Sequence, residues 1–398
     1  MTPKTVLIIA ALTLAPSLTA AQPAKPEATR PAPPPDYSAL AEKVVVSSAN
    51  VKEGEVVQIS GGLLDVALLE DIAIAVRKRG AFPLVTITTD KIATAMNTTV
   101  PAKYDAQAPK LELGLAQLVD VYIDIPAVRD PGIVSMLAPE RAAQRAKAKQ
   151  VVDDRRRDHK ARVVELDNGL APSWSRANSL GISEAELAKI FWEGLNADYA
   201  VIEAKCKTVR DSLAAGNELR ITHPNGTDLK IKVGGRKAFV SDGVTSNADL
   251  RAGRPGVQVW LPAGDVYVTP IPGTAVGKLV DDRMIYLGKE ITGVAVDIAR
   301  GKTTAINAKS GWDIVKKRYD AAGPRKSEVG FVDLGCNPGI KTGGKLETWM
   351  GAGMVTIGIG GNAWAGGTNK EPFALAYQLP GATVTLDGKV LVENGHLK

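Results

Sequence analysis

In the first part of the chain, segments with the hydrophobic pattern of a strand alternate with segments that have the pattern of a helix. A short apolar run in Val51–Gly61 is typical of a buried strand, and Phe82–Thr88 is a second strand candidate. Between them, Leu64–Arg79 has apolar residues at helical spacing and ends in basic residues before Gly80. Leu115–Ile125 continues the order with a helical start that runs into a strand. Strands that are joined through helices by short connections predict a parallel α/β layer.

Two further helices are predicted before residue 200. Pro139–Lys160 carries charged faces, and Asn178–Ala197 contains a capping box formed by Ser183 and Glu186. Together with the strands, these helices predict an N-terminal α/β domain over residues 38–199.

The pattern changes near residue 200. Glu218–Thr222 and Leu229–Val233 alternate apolar and polar residues around Pro224-Asn225-Gly226, which predicts a β-hairpin. Later segments repeat the strand pattern, namely Val257–Leu261, Val266–Thr269, Arg283–Tyr286, Thr292–Ile298 and Thr383–Leu386. Only Lys309–Ala321 has a clear helical pattern in this half. Residues 200–398 are therefore predicted to form a β-dominated α+β domain.

The N-terminus has the pattern of a secretory signal peptide. Lys4 precedes an apolar run from Val6 to Leu18, and small residues follow up to Ala21. The run is too short to span a bilayer, so residues 1–21 are predicted to be a cleaved signal. Residues 22–37 contain six prolines and are predicted to be an extended linker. We therefore expect a periplasmic or secreted protein without membrane insertion once the signal is removed.

Composition is that of a globular protein, with 45% hydrophobic and 23% charged residues. The net charge of +6 is mild, and acidic residues interrupt the basic cluster between residues 141 and 162. Aromatic residues make up only 5% of the chain, too few to suggest base stacking. These features argue against a nucleic-acid partner. Cys206 and Cys336 can pair in an oxidising compartment, but two buried free thiols are the expectation that we favour.

Four segments together resemble the aminopeptidase T family, the thermophilic leucyl aminopeptidases. They are Asn50–Val57, Pro139–Arg141 with Lys147–Ala148, Gly226–Leu229, and Leu261–Pro270. Each motif alone is weak, but their order and spacing extend over residues 38–398. The resemblance implies an α/β domain, a C-terminal domain that carries two metal ions, and a homodimer. It also implies removal of N-terminal residues from peptides, with Zn²⁺, Co²⁺ or Mn²⁺ as the divalent metal.

The ligands that the resemblance implies are only partly present. Asp265 falls on one glutamate position of the family, and Glu328 is placed on a second. Thr356, Ala374 and Ala376 stand where the family has two histidines and an aspartate. Alanine has no donor atom, and threonine is a poor ligand for these metals. A ring-cleaving dioxygenase that is similar to the family would lose the same ligands.

The three histidines of the chain do not replace the missing ligands. His159 lies in a charged run, His223 precedes Pro224 at a turn, and His396 is next to the C-terminus, so all three are predicted to be surface residues. Two hypotheses follow. The first is an exported aminopeptidase with a residual or rearranged metal site, in which Tyr377 or Thr356 holds a water or substrate.

The second hypothesis is a metal-free pseudoenzyme that binds a peptide or small molecule in the same cleft. An oxygen-only site for Mg²⁺ or Ca²⁺ built from carboxylates such as Asp265, Glu328, Asp281, Asp282 or Asp333 is a variant of the first hypothesis.

Overall fold

The computed structural model describes residues 36–340 and 348–398. The predicted signal peptide and almost all of the predicted linker lie outside this range. Among the described residues the α-helices are α1 Ser38–Lys43, α2 Val66–Lys78, α3 Asp90–Thr98, α4 Lys110–Leu118, α5 Pro131–Ser135, α6 Pro139–Asp158, α7 Trp174–Leu180, α8 Glu184–Leu195, α9 Tyr199–Ala215, α10 Asn247–Ala252 and α11 Trp312–Ala321. No helix in this range combines the length and the apolar character needed to cross a bilayer.

Eighteen strands of the described chain form three sheets. They are β1 Val56–Gly61, β2 Phe82–Ile87, β3 Val121–Asp124, β4 Arg162–Leu166, β5 Glu218–His223, β6 Thr227–Lys232, β7 Ala238–Ser241, β8 Gln258–Leu261, β9 Asp265–Val268, β10 Val276–Tyr286, β11 Lys289–Ala299, β12 Lys302–Asn307, β13 Val329–Gly335, β14 Val355–Gly360, β15 Ala374–Gln378, β16 Thr383–Leu386, β17 Lys389–Glu393 and β18 His396–Leu397.

The first sheet is parallel and has the order β2-β1-β3-β4-β8. The second sheet is antiparallel, with eight strands in the order β12-β11-β10-β6-β5-β16-β17-β18. The third sheet is antiparallel, with five strands in the order β15-β14-β13-β9-β7. A parallel α/β layer followed by antiparallel sheets confirms the predicted fold class.

Three elements differ from the sequence expectation. Helix α9 was not predicted, although its buried residues Tyr199, Ile202, Cys206, Val209 and Leu213 keep helical spacing. Strand β8 was expected among the antiparallel strands but pairs in parallel with β4. The helix predicted over Asn178–Ala197 begins only at Glu184, as α8, because the preceding helix α7 ends at Gly181, whose φ is 68°.

The first sheet thus takes strands from both sides of residue 200. The domain boundary at residues 199/200 stays a prediction.

A disulfide joins helix α9 to the third sheet. Cys206 and Cys336 are bonded, with their Cα atoms 5.5 Å apart, and both are fully buried. This pairing corrects the expectation of two free thiols. The two residues are separated by 130 positions, and they meet because α9 packs against β7 and β9 of the third sheet. Residue order alone does not reveal such a packing contact.

Candidate functional site

One face of the third sheet gathers the polar residues of the candidate site. Asp265 on β9 is paired with Ser241 on β7 and with Gly335 on β13. Asp333, two residues before Gly335, is paired with Tyr267 and with Thr356. Residues that are directly paired, and residues two positions apart on one strand, point to the same face of a sheet. Asp265, Asp333 and Thr356 therefore lie side by side.

The remaining positions implied by the resemblance lie on the same face. Ala376 is paired with Gly358 and Ala374 with Gly360, and both glycines follow Thr356 at intervals of two along β14. The structure therefore brings Asp265, Thr356, Ala374 and Ala376 onto one surface. Whether any of them holds a metal stays a prediction.

Glu328 is placed apart from this group. It precedes β13 and lies five residues before Asp333, about 16 Å along an extended strand. Its carboxylate accepts hydrogen bonds from the Arg325 Nε at 3.0 and 3.1 Å and from Asn369 Nδ2 at 3.3 Å. The structure does not bring Glu328 to Asp265, because Arg325 and Asn369 hold its carboxylate elsewhere. Asp333 is the carboxyl that shares the face with Asp265.

A cleft of about 470 Å³ opens over this face. Its opposite wall comes from the carboxyl ends of strands β4 and β8, which supply Glu165 and Trp260. Crevices at the carboxyl ends of parallel strands are common places for ligands in α/β folds. The described lining includes the carboxyls of Asp265, Asp333 and Glu165, but no lysine, arginine or histidine.

Four aromatic side chains line the same cleft. Trp260 and Trp364 meet edge to face, with ring centroids 5.3 Å apart and an angle of 87°. Phe331 contacts Trp364 at 4.9 Å and 74°, and lies 6.2 Å from Trp349. Tyr267 backs this group at 5.1 Å from Trp364. The three tryptophans are half-buried, and all of them line the cleft.

Two carboxyl oxygens that line the cleft, and two hydroxyls on residues paired with Asp333, are buried without a hydrogen-bond partner. They are Asp265 Oδ1, Asp333 Oδ1, Thr356 Oγ1 and the Tyr267 hydroxyl. Asp265 is 5% exposed, Asp333 2% and Thr356 0%. Buried polar groups of native proteins are nearly always paired, so a cluster of unpaired ones at a cleft indicates a place for a ligand.

Burial sets the charge state of these carboxyls. Desolvation raises the pKa of Asp265 to about 7, against a lowering by its hydrogen bond with Ser241. Desolvation and then the nearby Asp265 charge raise the pKa of Asp333 well above its usual range. Glu165 is more exposed than the two aspartates, but desolvation within the cleft, with the charges of Asp124 and Asp167, raises its pKa to about 7. Each of these groups binds a proton far more readily than a free carboxylate does.

The donor set does not fit a two-metal centre of Zn²⁺, Co²⁺ or Mn²⁺. Such a centre needs bridging carboxylates and imidazoles around both ions. In the described part of the chain no three histidine, cysteine or carboxylate side chains come together as a metal group would require. The Phe331 ring lies over Gly358, so closely that a Cβ on this glycine would collide with it.

The other candidates from the sequence lie elsewhere. His159 contacts Asp120 at 3.3 Å, and His223 contacts the Pro380 carbonyl at 3.1 Å. His396 is exposed on β18 of the second sheet.

Asp281 and Asp282 lie on β10 of the second sheet, where they accept hydrogen bonds from Arg283 N and Asn225 Nδ2. Tyr377 is fully buried, and burial raises the pKa of its hydroxyl. None of these residues lines the cleft.

The sequence alone did not point to Glu165, Phe331 or the tryptophans. They come from five separate segments of the chain, and each has the local pattern of an ordinary strand or loop residue. The sequence offers one weak indication, since Trp260, Trp349 and Trp364 are three of only six tryptophans. Their convergence needed the tertiary structure.

Comparisons with known proteins support the overall fold. The sequence profile described as thermophilic metalloprotease (M29) matches residues 35–335. Wild-type AmpT from Thermus thermophilus superposes with a TM-score of 0.71 at 20% identity, covering 90% of this chain and 98% of that chain. A 2,5-dihydroxypyridine dioxygenase from Pseudomonas putida gives 0.55 at 14% identity, covering 91% and 96%. No curated protein matches significantly. Identities this low establish the fold alone.

Proposed function

The chain belongs to the thermophilic metalloprotease family M29, and from this premise we propose that it is an aminopeptidase T-like protein that binds a ligand without two-metal hydrolysis. The ligand is a small organic molecule or a peptide end. It occupies the cleft over the third sheet, between Asp265 and the tryptophans.

The observation that carries the proposal is the donor set of the third sheet. Peptidases of this family depend on metal, and two-metal hydrolysis needs donors on both sides of an activated water. Of the positions implied by the resemblance, Thr356, Ala374 and Ala376 supply one hydroxyl and no imidazole or carboxylate. Glu328 is engaged by Arg325. Asp265 and Asp333 alone do not complete the coordination of two transition-metal ions.

The cleft is nevertheless built to hold a ligand. Half-buried aromatic rings offer apolar contact area, and unpaired carboxyl oxygens at the base offer hydrogen-bond acceptors. The amide side chains of Asn168 and Gln258 line the same space and add polar contacts at the rim. These residues bind and orient a ligand and exclude water from its apolar part.

A rearranged metal site is the second candidate. The unpaired oxygens of Asp265, Asp333 and Thr356 are hard donors on one face, the type that Mg²⁺ or Mn²⁺ prefers. One ion held there, completed by waters, is the arrangement that would keep a metal-dependent aminopeptidase.

Metal content and peptidase activity separate the two candidates. The purified protein is loaded with Zn²⁺, Co²⁺, Mn²⁺ or Mg²⁺, dialysed, and analysed for bound metal and for hydrolysis of aminoacyl p-nitroanilides. We expect less than stoichiometric metal and no chelator-sensitive hydrolysis. Stoichiometric metal with turnover that is lost in Asp265→Ala, but kept in the matched Glu328→Ala variant, would establish the rearranged site and refute the proposal.

Export and assembly are proposed as well. Disulfides persist in oxidising compartments, and the paired Cys206 and Cys336 therefore support a periplasmic or secreted protein. The edge strand β2 exposes apolar side chains, including Phe82 at 54% and Val85 at 42%, and such an edge favours a homodimer. Size-exclusion chromatography with light scattering measures the assembly.

A further inference from the structure

We propose that the cleft is a receptor for an organic ammonium cation with small apolar substituents. Trp260, Trp349 and Trp364 surround the cation, and the carboxyls of Asp265 and Asp333 face its charge. The inference rests on the proposed function, since it names the ligand class of the same cleft.

The charge of the lining selects a cation. The protein as a whole carries a net charge of +6, yet the described lining of this cleft has three carboxyls and no basic side chain. Two of these carboxyls, Asp265 and Asp333, each have an oxygen that is buried without a partner. Where these carboxyls are ionised, a positive ligand can pair with both oxygens at once, whereas an anion is repelled.

The geometry of the rings favours a compact cation over a flat ligand. Trp260 and Trp364 are nearly perpendicular at 87°, and Phe331 meets Trp364 at 74°. Perpendicular rings form a corner, whereas a sugar or a planar heterocycle stacks on a broad, flat ring face. A corner of ring faces beside carboxylates is how proteins hold alkylammonium groups, because the ring quadrupole attracts the charge while the walls contact the alkyl groups.

The donor chemistry also separates an ammonium from a metal ion. A hard metal ion needs about six oxygen ligands, whereas Asp265, Asp333 and Glu165 supply the carboxyls of the described cleft lining. An ammonium that carries an N–H needs only one or two acceptors, and Asp265 Oδ1 and Asp333 Oδ1 provide them. We therefore expect an ammonium with at least one N–H to bind at least as well as a quaternary one.

The distribution of tryptophan supports a built site. Three of the six tryptophans in a chain with 5% aromatic residues line this one cleft. Trp174, in contrast, is 72% exposed on α7 and lies outside the cleft, so it serves as the matched control.

The test uses three probes of nearly the same size. Choline is quaternary, N,N-dimethylethanolammonium carries one N–H, and 3,3-dimethylbutan-1-ol is the neutral isostere of choline. Binding to the full-length protein is measured by isothermal titration calorimetry at pH 8 with a chelator present. We expect both cations to bind and the neutral alcohol to bind roughly tenfold or more weakly, because it loses the cation–π and carboxylate contributions.

Variants locate the site. Trp364→Leu and Asp265→Asn are each expected to weaken the binding of both cations roughly tenfold or more. Trp174→Leu should leave their binding unchanged. Circular dichroism checks that each variant is folded. Equal binding of the alcohol and choline, no binding of either cation, or no effect of Trp364→Leu on cation binding by a folded protein overturns the inference.

Failure of the ammonium inference can be distinguished from failure of the proposed function. Because the chelator removes metal, the absence of cation binding in a protein that is also metal-free and inactive defeats only the ammonium inference. Metal-dependent hydrolysis without chelator defeats only the proposed function.

Discussion

Replacing Asp265 by asparagine should stabilise the protein at alkaline pH. The carboxyl is 5% exposed, has one oxygen without a partner, and has its pKa raised from 3.8 to about 7, chiefly by desolvation. Above pH 7 the folded protein must hold a buried carboxylate that the unfolded chain solvates freely. The penalty that corresponds to this difference in pKa is about 4 kcal/mol at most.

The sign follows from proton binding. Between pH 3.8 and about 7 the folded protein binds a proton at Asp265 that the unfolded chain has released. The contribution of Asp265 to the free energy of unfolding is therefore fully present below pH 3.8 and is lost as the pH rises through about 7. Asparagine has the same shape and no charge, so Asp265→Asn should match the parent within about 1 kcal/mol at pH 5 and exceed it by about 2–3 kcal/mol at pH 8, allowing for a weaker bond to Ser241.

Urea unfolding at pH 5 and pH 8 measures the effect. The matched control is Asp297→Asn, an exposed carboxyl on β11 that should change stability little at either pH. Asp333→Asn should behave like Asp265→Asn, and the double variant should gain less than the sum, because each substitution already relieves the repulsion felt by the other. If Asp265→Asn lowers the free energy of unfolding at pH 8, the carboxylate must be compensated by a bound cation. The expectation that its charge is uncompensated would then be wrong.

Two further predictions concern the disulfide and the absent donors. The double variant Cys206→Ala with Cys336→Ala should lose about 3 kcal/mol of unfolding free energy, as should the parent under reductant, because the bond closes a loop of 130 residues; equal urea midpoints with and without reductant would contradict this. The triple variant Thr356→His, Ala374→His and Ala376→Asp should gain Co²⁺ binding with a visible absorption spectrum, because all three side chains share one face; no uptake by a folded triple variant would contradict that placement.

Local sequence patterns predict many of the helices and strands. The hairpin of β5 and β6 follows from a Pro-Asn-Gly turn between alternating residues, and strand β16 has the bounds that alternation predicts. Helix α9 was missed because Lys205, Lys207 and Arg210 dilute its apolar stripe, and the turn-rich sequence after it suggested strands. Strand β8 was recognised as a strand, but its partner β4 lies almost a hundred residues away, and alternation does not specify a partner.

The site was only partly predictable for a related reason. The resemblance placed Asp265, Thr356, Ala374 and Ala376, and the strand register does put them on one face. The placement of Glu328 depended on a short motif in which a shift of a few residues cannot be detected by eye. The structure shows Arg325 beside Glu328 and Asp333 beside Asp265, a distinction that requires pairing across strands.

The proposals all depend on the two buried carboxyls at the floor of the cleft, Asp265 and Asp333. Two carboxyls on neighbouring strands, 5% and 2% exposed, are costly in a folded protein unless a proton or a cation accompanies them. A peptidase of this family would supply that positive charge with metal ions, but Ala374 and Ala376 leave a metal without donors. The faces of the tryptophan rings can instead attract a positive charge in a cleft from which water is excluded. At acidic pH, protonation of the two carboxyls removes the cost of burying them. Above pH 7, we propose, a cationic ligand that contacts both the rings and the unpaired oxygens compensates their charge.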